Sequence, residues 1–163
     1  MKLKLEYLAG CGTFSECRFR TPFYEKEVSS LAFICSSGPA VWEPQSLLLV
    51  CAGMIPGGGE QLALWLDERK GRGAAGFLAD LSGEEEERID ALAKACRERE
   101  LVFGTVAADR FVSMINEYSH LIASRTDGTV RAYDRVLEDL QHRFYISGTD
   151  SLLDGLSYWT GCQ

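Results

Sequence analysis

The sequence has only two histidines, four prolines and no C-x-x-C pair. Each shortage removes a class of chemistry. Structural zinc wants about four closely placed ligands, and the six cysteines, at positions 11, 17, 35, 51, 96 and 162, are spaced too widely for that. Cys35 and Cys51 lie inside apolar runs, where cysteine behaves as a small buried hydrophobe. Free thiols are therefore expected, with no metal and no cofactor. Long apolar runs are also missing. The stretch 44–59 carries no charge but contains Pro56 and the Gly57-Gly58-Gly59 triplet, and it falls short of the roughly 20 apolar residues that span a bilayer. The opening Met1-Lys2-Leu3-Lys4-Leu5-Glu6 breaks its hydrophobicity with charge at once, unlike a secretory leader. Positive charge is scarce as well: 17 Lys and Arg against 24 Asp and Glu leave a net charge of -7. An acidic chain repels phosphate backbones, which argues against a direct grip on nucleic acid. These absences predict a cytoplasmic domain with no membrane contact.

What is present is a well-patterned α/β chain. At 163 residues and 46% hydrophobic content it can bury a real core. A short apolar element at Leu3, Leu5 and Leu8 is broken by Gly10 and Gly12. The β-branched and aromatic run 28–35 and the continuous apolar run 47–51 predict strands, the second buried on both faces. Leu62, Trp65, Leu66 and Arg69 lie at helical spacing, ended by Gly71 and Gly73. The clearest unit follows. A strand at 75–79 precedes Ser82 and Glu85, spaced as a capping box, and Ile89, Leu92, Ala93 and Cys96 form one apolar stripe. A strand at 101–106 completes a βαβ unit, whose crossover is right-handed. Phe111, Met114, Ile115 and Tyr118 predict a short helix. The expected class is α/β: a mostly parallel sheet with flanking helices over residues 1–125, followed by C-terminal linker helices over 126–163. In that linker Tyr133, Val136, Leu137, Leu140 and Phe144 repeat at helical steps, as do Leu152, Leu153, Leu156 and Trp159. Such stripes need a partner, either their own domain or a dimer seam, and the first set is the candidate dimerisation face.

No enzyme signature stands out. The glycine triplet is followed by Glu60 and Gln61, where a phosphate-cradling loop wants lysine and a hydroxyl residue. Ser36-Ser37-Gly38 lacks the G-x-S-x-G elbow, and neither His120 nor His142 carries a motif. The acids Glu84 to Glu87 read as a solvated helix start. Arg18 and Arg20, near Phe14, Phe19 and Phe23, are the nearest approach to a nucleic-acid surface. Position says more than motif. In open parallel sheets, ligands bind outside the carboxyl ends of the strands. Those ends carry Ser36, Ser37, Cys51, Ala52, Gly53, Asp80 and Thr105, all small or polar, and these are the candidate ligand-binding residues.

The order of segments resembles the N-terminal domain of PucR-type purine-catabolism regulators, a family of bacterial transcription factors. Leu3-Lys4-Leu5-Glu6-Tyr7-Leu8 approximates the family's L-T-V-x-D-L-L opening. Val28 to Phe33 is similar to its V-x-x-V-x-V strand, and Ser46 to Gly53 to its G-E-L-L-L-T-T-G strand. Gly73-Ala74-Ala75-Gly76-Phe77, the stretch Ala95 to Val102, Arg110-Phe111 and the tail from Leu140 to Gly161 follow its later pattern. The family's glycine–acid pair falls on Ser46-Leu47 and its double threonine on Cys51-Ala52, so an effector seated there would lose polar contacts in this chain. The DRTGG-type sensor module shares the βαβ half. The resemblance implies a homodimeric sensory domain for a small-molecule effector of the purine-pathway class. It also implies a helix-turn-helix output domain further along a longer polypeptide. A small α/β enzyme and a pure protein–protein interaction module are the alternatives.

Overall fold

The computed structural model describes residues 1–34 and 41–125. Seven strands form. β1 (Leu3–Lys4) pairs antiparallel with β3 (Glu27–Val28) in a two-stranded ribbon. The main sheet contains β2 (Arg18–Phe19), β4 (Ser30–Ile34), β5 (Ser46–Cys51), β6 (Gly76–Asp80) and β7 (Val102–Thr105), in the order β2-β7-β6-β5-β4. β4 to β7 are mutually parallel, and β2 runs antiparallel along β7. The helices are α1 (Leu5–Ala9), α2 (Gly59–Gly71), α3 (Glu86–Glu98) and α4 (residues 111–125). The expected mostly parallel α/β sheet is therefore present. Among the described residues no helix is long and apolar enough to cross a membrane.

The four parallel strands step across the sheet in one direction. Right-handed crossovers then place α2 and α3 on the same face. Leu48, Val50, Phe77, Ala79 and Phe103 from that face share one core with Leu66 of α2 and with Ile89, Leu92, Ala93 and Cys96 of α3. By strand alternation Leu47, Leu49, Leu78 and Val102 point the other way, and they are fully buried too. That face lies against the N-terminal segment and the start of α4, which bury Leu3, Leu5, Leu8, Phe14, Phe111 and Met114. Tyr118 Oη donates to the Val28 carbonyl at 3.2 Å, and Phe111 meets Phe33 edge-on at 5.6 Å. Burial on both sides explains why the stretch 47–51 reads as an unbroken apolar run.

Local details depart from expectation in three places. The run 28–35 is divided: Val28 belongs to the ribbon, and the sheet strand starts at Ser30. Ser29 turns between them, its N–H bonded to the Gln45 carbonyl at 3.0 Å. The capping box does not form. Glu85 occupies the N-cap of α3 without a side-chain cap, and the Ser82 hydroxyl bonds to Asp80 instead. The far end of α3 closes in a Schellman motif without glycine. Leu101 N–H bonds to the Cys96 carbonyl at 3.0 Å and Glu100 N–H to the Arg97 carbonyl at 3.1 Å, with Glu100 at φ 57°. Gly76 opens β6 at φ 159°, where a Cβ would collide with the Val102 backbone.

Contacts divide the chain into Met1–Tyr118 and Ser119–Gln163. The second unit is described only over residues 119–125, which are helical. The candidate dimerisation residues Tyr133, Val136, Leu137, Leu140 and Phe144 lie outside the described residues, as do Ser36 and Ser37 of the candidate site.

Candidate functional site

A cleft of about 500 Å³ opens at the carboxyl ends of β6 and β7. Its position follows from the topology. Because the described parallel strands do not reverse their stepping direction, they form no crevice between oppositely wound halves, the place where α/β sheets usually bind ligands. The change of direction among the described strands comes at β2, and the cleft lies beside it. Arg18 is the cross-strand partner of Thr105, so both project on the α3 face of the sheet. Arg20, two residues on, shares that face and continues the pairing through its N–H to the Phe103 carbonyl at 2.8 Å. The opposite wall is the turn into α3, with Ser82, Glu84 and Glu86.

Asp80 is the knot at the base. One carboxylate oxygen accepts the Ser82 N–H at 3.0 Å and the Ser82 hydroxyl; the other accepts the Ala108 N–H at 2.8 Å. These donors hold its carboxyl below the usual carboxylate range, the Ser82 hydroxyl contributing most and partial burial opposing. An ionised carboxylate with its oxygens occupied is a poor proton acceptor at neutral pH. Its work is to tie the turn after β6 to the segment after β7.

The other acids of the cleft are also engaged. Glu86 pairs with Arg20 Nη1 at 2.6 Å, Glu84 with Arg88 at 2.5 Å and Glu16 with Arg110 Nε at 3.0 Å. The donors are less fully used. Among the described residues Arg18 has no ion pair and its guanidinium no hydrogen bond. Arg20 Nε is buried and has no acceptor among the described residues. The Thr105 hydroxyl has no hydrogen-bond partner among the described residues either. The cleft thus faces its solvent with the unpaired Arg18 guanidinium and with compensated acids.

Of the residues singled out from sequence, Asp80 and Thr105 line the cleft. Cys51, Ala52 and Gly53 do not line it; Cys51 ends β5 in register with Asp80, and Ala52 and Gly53 begin a 3-10 turn, Ala52–Met54. Arg18 and Arg20 were visible in the sequence only as basic residues among aromatics. The alternation Arg18-Phe19-Arg20, charge out and ring in, fits an edge strand but is too short to announce one.

The remaining candidate chemistry is quiet. Cys11, Cys17, Cys51 and Cys96 are free thiols. Burial pushes Cys17 and Cys96 up to about 12, which keeps both protonated and unreactive. Gly58 and Gly59 turn the chain into α2 with Glu60 in its first turn, which is unfavourable to a phosphate. Among the described residues no group of three His, Cys, Asp or Glu side chains is placed to hold a metal ion. Comparison with protein-family models, with curated proteins and with solved structures finds no match for this chain.

Proposed function

We propose that this chain is the effector-sensing domain of a bacterial, cytoplasmic transcriptional regulator of the PucR type, binding a small metabolite in the β6–β7 cleft. The signal would pass through the C-terminal helices of a homodimer to a DNA-binding domain outside this chain. The observation that carries the reading is a short chain of contacts from the cleft to α4. The 3-10 turn Gly12–Glu16 leads directly into β2. Glu16 lines the cleft and grips Arg110, just ahead of α4. At the other end of the turn, Glu117 on α4 accepts the Thr13 N–H at 2.8 Å. Gly12, at φ 25°, sits so close that a Cβ there would collide with the Glu117 carboxylate. A ligand that displaces Glu16 or Arg18 would therefore bias the seat of α4, the helix that leads in sequence into the linker. Two packings of that helix, favoured unequally by ligand, are all that a sensory switch requires.

The test combines a thermal-shift screen of purines and their ring-opened degradation products with light scattering. A ligand at about 100 times its Kd stabilises the native state by roughly 2.7 kcal/mol. Glu117→Ala should bind as well as wild type while losing any ligand-dependent change in assembly. A domain that stays monomeric with and without ligand would sink the reading, and no stabilisation by any purine derivative would remove the purine assignment.

A further inference from the structure

We infer that the β6–β7 cleft takes a small organic oxyanion, a carboxylate or a phosphate monoester, held by the guanidinium of Arg18 and by Arg20 Nε with the Thr105 hydroxyl beside them. This deepens the sensory reading above and rests on it. The argument is an inventory of charge within one cavity. Four acids line the cleft, a composition that at first sight favours a cationic ligand. Their engagement says otherwise. Glu16, Glu84 and Glu86 each have an arginine within 3.0 Å, and Asp80 is saturated by Ser82 and Ala108. A cation entering would compete with those arginines for carboxylates already satisfied.

An anion meets the opposite situation. Arg18 stands on the edge strand with no ion pair among the described residues, and its planar fork matches a carboxylate or phosphate edge. Arg20 stands beside it. Its Nη1 is held by Glu86, and its Nε is buried without an acceptor among the described residues, as is Arg69 Nε on α2. A buried donor left unpaired is costly, and an oxyanion seated on Arg18 would favour a shift of the Arg20 side chain that opens Nε to it. Thr105, directly across from Arg18, supplies a hydroxyl at the same level of the sheet. The three donors come from two adjacent strands, so their spacing is set by backbone pairing rather than by a loop.

The experiment follows the arginine side-chain Nε–Hε signals of the whole chain by NMR during titration with succinate and, separately, with inorganic phosphate. Putrescine and a neutral purine base serve as the non-anionic probes. The expected result is a saturable shift of the Arg20 signal with at least one oxyanion, the two titrations telling carboxylate from phosphate recognition. Arg18→Gln should weaken that binding roughly tenfold or more, about the worth of one charge-assisted hydrogen bond. Thr105→Val should weaken it less. Circular dichroism of both variants verifies the fold, and Arg18→Lys, which keeps charge without the fork, should recover part of the affinity. A response to putrescine or the purine base with none to either oxyanion overturns the oxyanion class and leaves the sensory reading standing. Saturable binding that Arg18→Gln does not change overturns the placement. Silence towards all four probes overturns the oxyanion assignment and leaves the sensory reading to the light-scattering test above.

Discussion

Two pairs of arginines in this molecule have opposite fates. On α2, Arg69 is buried, its Cζ lying 3.8 Å from the centroid of the Trp65 ring and 5.9 Å from that of Trp42. Arg72 covers the same Trp42 at 3.9 Å. Trp65 meets Phe77 edge-on at 5.3 Å, and Phe77 packs on Phe103 at 5.2 Å, so the stack runs into the core. Burial pushes the Arg69 guanidinium below its ordinary range, partly offset by Glu68 beside it. Arg18 on β2, and Arg20 just after it, instead face a cleft, and among the described residues Arg18 has no ion pair. The same side chain serves as mortar in one place and as an open hand in the other. What separates them is the neighbour: aromatic faces absorb a guanidinium's plane, whereas a hydroxyl and engaged carboxylates leave its charge available.

That contrast can be broken from either side. The largest effect is expected on α2. Arg69→Ala removes cation–π contact and packing together and should cost about 2 kcal/mol or more, read from urea unfolding. An unchanged midpoint would mean that the stack contributes nothing. Asp80→Asn should be intermediate, at about 1 kcal/mol near pH 7, because its hydrogen bonds are shared with solvent. Its pH dependence has a definite sign. The folded-state carboxyl ionises below its unfolded value, so its contribution is complete above the unfolded carboxylate pKa and is lost as pH falls through the folded value. Wild type and Asp80→Asn should therefore converge in stability at acid pH. The smallest effect belongs to Arg18→Gln, whose unfolding should match wild type to within about 0.5 kcal/mol. A marked loss there would show that Arg18 is structural after all.

Much of the architecture was legible in the sequence. The strands 47–51, 75–79 and 101–106 and the helix of Ile89, Leu92, Ala93 and Cys96 appear where their patterns place them, within a residue or two. A continuous apolar strand run and a 3.6-residue stripe are robust because several residues vote together. The failures are short. β2 has two residues, too few for alternation to announce itself, and the ribbon of β1 and β3 depends on a partner far along the chain. The Ser82–Glu85 spacing fits a capping box, but Asp80 competes for the same hydroxyl and wins, because it also gathers the Ala108 N–H from the far side of β7. Of the candidate site, Asp80 and Thr105 were found by the strand-end rule, while the two arginines opposite were not.

The sequence by itself determined the layers: buried runs with no polar breaks must be interior strands, and one-sided helices must cover them, since apolar area left in water costs about 25 cal/mol per Å². Which strand lies beside which was left to the tertiary structure, and so was the meaning of Arg18 and Arg20. A guanidinium's role depends on what stands within a few ångströms of it. Here that is a threonine on β7, 87 positions further on in the case of Arg18, brought across by backbone pairing that no local pattern encodes.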